Sequence, residues 1–252
     1  MTSPRAINDF DREICMSMDG SHVSWRRPQR TFKGTCALCE TAVDKRRSAA
    51  HHSGCAPAHD PDTGRRTDLV SLRITAVGAA EYWLDVEAAT DAALSKLDSF
   101  LRNIWLECCG HLSMFSVPPF RYSSSPSGMS GLLGRANTDH GMRAKIGEAF
   151  NRAGQKGTYD YDFGSTTRLA IERTGARVGL IGRESVRLLV RNDPLAWTCG
   201  SCGKPATLVC CAHETESSPV VCAAHKKAHR CSGAMFLPVV NSPRMGVCGY
   251  AG

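Results

Sequence analysis

The chain has 252 residues, 31 Lys and Arg against 24 Asp and Glu, a formal charge of +7, and 13 cysteines. That length holds one large domain or two to three small ones, and the modest basic excess permits an anionic partner without requiring one. With no run of 18 apolar residues and no apolar signal-peptide core near Met1, the expectation is a soluble cytoplasmic protein with reduced thiols and no membrane partner.

In chain order, residues 1–30 are polar and carry Trp25, Arg26, Arg27, Pro28 and Arg30. They read as a flexible basic arm, solvated or touching phosphate. Residues 31–60 hold a Cys/His group, Cys36-x2-Cys39-x11-His51-x3-Cys55. Disulfide frameworks rarely interleave histidine at such spacing, whereas zinc sites do. The group fits one small finger, with His52 an alternative to His51 and His59 to Cys55. Lys45, Arg46 and Arg47 precede the ligand histidine, so a basic helix entering a DNA groove is one reading. Stabilising the N-terminal region or docking a protein is the other. Residues 61–67 read as a short linker or turn.

Residues 67–197 read as a single α+β domain. Val70, Leu72, Ile74 and Ala76 alternate with Ser71, Arg73 and Thr75, the pattern of a half-buried strand. A short strand follows over residues 81–88. A helix capped by Thr90 is expected to run to about Cys108, with Leu94, Leu97, Leu101 and Ile104 or Trp105 in its apolar stripe. Residues 111–117 alternate as a strand. Residues 118–142 are Ser/Gly/Pro-rich and read as a loop. A short helix then turns Ile146, Ala149 and Phe150 inward. Tyr159 and Tyr161 alternate with Asp160 and Asp162, and Leu169 and Ile171 follow across Gly164 and Ser165, either through a hairpin turn or past a bulge. A last strand carries Val186, Leu188 and Val190, and Pro194 ends the domain.

Residues 198–252 have too little apolar material for a core of their own, and metal binding would supply the missing folding energy. They read Cys199-x2-Cys202-x7-Cys210-x2-His213-x8-Cys222-x2-His225-x3-His229-x-Cys231. Eight nitrogen or sulfur ligands make two tetrahedral sites. Cross-bracing places Cys199, Cys202, Cys222 and His225 on one ion and Cys210, His213, His229 and Cys231 on the other, with Cys211 the alternative to Cys210. A sequential pairing is the other topology. Phe236, Leu237, Val239, Val240 and Tyr250 are expected to pack back on the protein, and Cys248 to be a buried thiol. In all, three Zn2+ ions are expected, each in a closed site without catalytic function.

Three stretches, "LDSFLRNIWLECCGHLSMF", "YDYDFGSTTRLAI" and "LPVVNSPRMGVCGY", resemble the plasmid pRiA4b ORF-3-like protein family, in a subset with Cys/His segments at both ends. Trp105, Glu107, Cys108, Cys109, Gly110 and His111 match its helix-end motif, and Tyr161, Asp162, Phe163 and Gly164 its aromatic–acidic motif. The resemblance implies occurrence on bacterial chromosomes and mobile elements, and it carries no reaction.

The expected architecture is therefore a central mixed or antiparallel sheet with packed helices, between an N-terminal finger and a cross-braced two-zinc module. The expected function is that of a zinc-stabilised binding or adaptor protein whose partner is protein or nucleic acid. The rival is a hydrolase or thiol enzyme using Cys109, His111 and Asp162, which requires those side chains to meet.

Overall fold

A computed structural model describes residues 31–125, 139–212 and 218–252. The arm at 1–30 and most of the Ser/Gly/Pro-rich loop lie outside the described residues. The described chain forms two compact units: Thr31–Pro194 with Asn241–Arg244, and Leu195–Val240 with Met245–Gly252.

The first unit is α+β. Its sheet comprises β1 (Lys33–Cys36), β2 (Ala42–Asp44), β3 (Arg65–Ala76), β4 (Trp83–Ala89), β5 (Ser113–Val117), β6 (Phe120–Ser123), β7 (Asp139–Gly141), β8 (Lys156–Tyr161), β9 (Thr167–Ile181) and β10 (Val186–Asn192). Their order across the sheet is β2-β1-β10-β4-β3-β9-β8-β5-β6-β7. Neighbours are antiparallel except for the parallel pair β6–β7, so the sheet is mixed. The Cys/His segment at 31–60 is continuous with this sheet: β1 pairs with β10, Gly34 opposite Asn192 and Cys36 opposite Val190.

Strand β4 is buried along its whole length, carboxylates included. Residues opposite each other in an antiparallel pair point to the same side. Leu84, Val86 and Ala88 therefore share an apolar face with Ile74, Leu72 and Val70 of β3. Asp85 and Glu87 lie on the other face, where they must be matched by cations. Arg73 binds Asp85 through Nε at 2.8 Å and Nη2 at 2.9 Å. Arg177 and Arg187 both reach Glu87, at 2.7 and 2.8 Å, and both also bind Asp60. Helix α1 (Ser48–Ala58) lies on this polar face, where the Ser48 hydroxyl donates to Asp85.

Helix α2 (Leu94–Leu101) starts later than the sequence suggests, because Thr90 is not its cap. The Thr90 amide donates to Asp68 O at 2.9 Å, and the free amides of Leu94 and Ser95 donate to Ala144 O and Met142 O at 2.8 and 2.9 Å. A passing backbone segment thus satisfies the donors that a side chain was expected to take. The helix ends in one π turn, Arg102–Leu106, whose extra residue advances the buried face so that Trp105 and Leu106 turn inward. Helix α3 (Ile146–Ala149) buries Ile146 and Ala149, with Phe150 buried just beyond. Tyr161 pairs with Thr167, so residues 162–166 form a hairpin turn rather than a bulge in a continuous strand. In β10 the register shifts between Leu188 and Val190, which buries Leu189 in place of Leu188.

Residues 241–244 return to this unit. Arg244 is fully buried: Nη2 donates to Asp162 Oδ2 at 2.7 Å, and Nη1 to Thr167 Oγ1 at 3.0 Å and Ser165 O at 3.1 Å. Ser242 Oγ donates to the Trp105 carbonyl at 2.6 Å.

The second unit is built on a three-stranded antiparallel sheet, β12 (Val220–Val221), β11 (Leu208–Cys210) and β13 (Phe236–Pro238). Val209, Val220, Val221, Trp197, Met245 and Tyr250 supply its small buried core. Phe236, Leu237, Val239 and Val240 are half-buried. Cys248 is exposed rather than buried. Among the described residues no helix is long and apolar enough to cross a membrane.

Two outcomes follow from the buried charges. Arg244→Ala leaves Asp162 buried and unpaired and should destabilise the fold by about 3–5 kcal/mol in chemical denaturation. Asp60 is drawn down to about 2 by the Arg177 guanidinium. Its folded value lies below that of the unfolded chain, so its stabilisation is complete above about pH 4 and disappears as pH falls toward 2. Asp60→Asn should flatten the stability–pH curve over that window, read by thermal melts.

Candidate metal centres

In the first unit the turn between β1 and β2 carries Cys36 and Cys39, and α1 carries His51 and Cys55 four residues apart on one helix face. The turn is tied by Cys36 N–H to Thr41 O and Glu40 N–H to Cys36 O, both at 2.9 Å. Cys36 Sγ lies 3.8 Å from Cys55 Sγ, and Cys39 Sγ 3.5 Å from His51 Nε2. All four donor atoms lie within 4.8 Å of one another. A tetrahedron with zinc–sulfur bonds of about 2.3 Å has sulfur–sulfur edges of about 3.8 Å. His52 is not in this group: it is buried beside Asp85, 3.9 Å away. His59 Nδ1 lies 3.6 Å from Cys55 Sγ, 2.8 Å from that residue's carbonyl and outside the four-donor group.

In the second unit Cys199, Cys202, Cys222 and His225 converge. Cys202 and Cys222 are 3.8 Å apart, and His225 Nδ1 is 3.2 Å from Cys222 and 3.8 Å from Cys199. This brings the first and third ligand pairs together, as cross-bracing requires. Cys210, His229 and Cys231 form another group. His213, expected as its fourth ligand, lies outside the described residues. Cys211 is not in the group, and its thiol points at Val209 O, 3.9 Å away.

Electrostatics explain why such groups need a cation. The Thr41 hydroxyl and amide draw Cys39 down to about 6, while burial and its thiol neighbours push Cys55 up to about 12. Burial raises Cys199, but surrounding backbone amides more than offset it and bring it to about 6. In these two groups one thiolate therefore forms readily and opposes the next. A dication removes that opposition and lets all of them ionise.

Lys45, Arg46 and Arg47 lie in the turn before α1 rather than on a helix. Lys45 donates to Ala80 O at 2.9 Å and lies over the Phe32 and Trp83 rings. Burial, helped by Arg73, lowers it to about 8. Helix α1 itself, SAAHHSGCAPA, has no Lys or Arg, and its buried side faces the sheet.

The residues of the enzyme reading do meet. Cys109 Sγ is 2.9 Å from His111 Nε2, and the same nitrogen is 3.5 Å from Asp162 Oδ2. A catalytic relay needs the nucleophile on one ring nitrogen and the orienting carboxylate on the other. Here both address Nε2, and Asp162 is already held by Arg244. Asp160 and Asp162 are buried, each paired with an arginine, Arg168 and Arg244, at 2.7 Å. Arg244 escaped the sequence reading. Its one signal was a lone arginine inside an apolar tail.

No family model matches the chain, and no curated protein does. Among solved structures it is similar to a protein of unknown function from Methanosarcina mazei Go1, at 14% identity and a TM-score of 0.40, over 49% of this chain and 68% of that one.

Removal of metal offers a direct check. Chelation of the reduced protein should unfold the second unit and lower the melting temperature, and acidification should release metal as thiolates protonate. Metal analysis and circular dichroism during chelator titration read both.

Proposed function

We propose that the protein is a zinc-stabilised binding protein of a reducing compartment such as the cytoplasm, that its Cys/His groups hold three Zn2+ ions as scaffolding, and that its second unit contacts nucleic acid. The two four-donor sets support the scaffolding part: each spends its four positions on protein ligands and leaves none for a substrate. Cys36, Cys39, His51 and Cys55 would hold one ion, and Cys199, Cys202, Cys222 and His225 a second. Cys210, His229 and Cys231, with His213 from sequence, would hold the third.

The charge pattern carries the nucleic-acid part. Among the described residues of the second unit, Lys204, Lys226, Lys227 and Arg230 are all exposed, and no acidic side chain accompanies them. Three of them fall between ligands of the two centres, so metal-held backbone would present them at little ordering cost. In the first unit Arg73, Arg102, Arg177, Arg187 and Arg244 are paired with carboxylates, and its exposed cations, such as Arg46, Arg66 and Lys96, share that unit with acidic side chains. Contacts of this kind go to phosphate, so binding would be salt-sensitive and largely independent of sequence.

Membership in the plasmid pRiA4b ORF-3-like family belongs to the same reading. What supports it is that the two motifs of the resemblance meet: Tyr161 hydroxyl donates to Glu107 Oε1 at 3.2 Å, and Cys108 Sγ lies 3.9 Å from the same hydroxyl.

Fluorescence anisotropy with random duplex, single-stranded DNA and RNA at two salt concentrations tests the proposal. Replacing Lys226, Lys227 and Arg230 together by Ala should weaken binding to all sequences and reduce the slope of log K on log salt by about three. No binding by the wild type at low salt would reject a nucleic-acid ligand and leave a protein partner.

A further inference from the structure

Outside the three groups above, one more set of soft donors converges within the first unit. Cys108 and Cys109 follow the π turn, and His111 comes after Gly110. The Cys108 and Cys109 sulfurs are 3.6 Å apart, Cys109 Sγ is 2.9 Å from His111 Nε2, and the three donor atoms lie within 4.8 Å of one another. The sulfur–sulfur spacing is close to the edge of about 3.8 Å in a zinc tetrahedron, and a movement of roughly half an ångström would complete the sulfur–nitrogen edge.

This loop is clamped. Arg102 pairs with Glu107 at 2.8 Å and donates to the His111 carbonyl at 2.7 Å. Glu107 Oε1 accepts the Gly110 amide at 2.6 Å. Gly110 has φ +75°, a conformation that costs glycine nothing and other residues more. The three side chains therefore project from a turn fixed by its own hydrogen bonds.

Arg244 Nη2 lies 3.5 Å from Cys108 Sγ and donates to Asp162 Oδ2. The shared approach of Cys109 and Asp162 to His111 Nε2, which disqualifies a catalytic relay, is compatible with a ligand nitrogen facing an ion.

We propose that Cys108, Cys109 and His111 bind a thiophilic divalent ion of the zinc class, a centre additional to the three scaffolding sites. It is separate from the nucleic-acid reading and survives or fails without it.

The test uses wild-type protein purified under reductant and loaded with zinc alone. N-ethylmaleimide labelling is followed residue by residue by mass spectrometry, before and after a strong chelator. Cys109 is exposed, so a free thiol there labels at once. Expected is slow labelling of Cys108 and Cys109, rising about tenfold or more on chelation. In native mass spectrometry Cys108→Ser/Cys109→Ser should lose one zinc relative to wild type, and His111→Gln should lose that same zinc at lower chelator concentration. Full-rate labelling of Cys109 before chelation, an unchanged zinc count in a folded double variant, or a Cys108–Cys109 disulfide in the purified protein would each overturn the proposal. If the double variant does not fold, the labelling of wild type decides.

Discussion

The first unit depends on a charge match in the middle of its sheet. Asp85 and Glu87 occupy a strand buried on both faces, and burying two carboxylates without partners would cost several kcal/mol each. Arg73, Arg177 and Arg187 supply the match, Ser48 adds a hydrogen bond, and Asp60 completes the network. Because Ser48 opens α1 and Asp60 lies just past its end, the network also fixes the helix that carries His51 and Cys55. The position of the first Cys/His group is thus set by ion pairs several residues away from any thiol.

The second unit has no comparable network. Its apolar core is small and its strands are two or three residues long, so the convergence of Cys199, Cys202, Cys222 and His225 is the main constraint that relates its distant segments. The two units consequently use different chemistry for the same task. One spends guanidinium groups on carboxylates; the other relies on thiols and imidazoles that need an ion between them.

Local patterns were legible wherever one period decided the outcome. Alternation in β3, in β5 and in the Tyr159–Tyr161 strand marked the buried faces, and Cys-x2-Cys spacings marked the ligand turns. What escaped depended on partners distant in sequence. Thr90 looked like a cap because nothing local announces that residues 142 and 144 offer their carbonyls to α2. The alternation of Asp160 and Asp162 with tyrosines did not show that the carboxylates are buried, because their partners Arg168 and Arg244 are eight and 82 residues away. The finger at 31–60 looked independent because its pairing with β10 spans most of the unit. Cys108, Cys109 and His111 were visible as reactive groups, but their shared focus is set by the π turn and the Glu107 clamp, which no periodicity reveals.

The ten-stranded sheet ends at β2 and β7, each only three residues long. A strand that short offers an incoming chain too few backbone partners to hold it. A sheet this wide, with β-rich segments up to 15 residues long at its centre, would otherwise template edge-to-edge polymerisation. At β2 and β7 the short outer strands therefore leave an incoming chain little backbone to pair with.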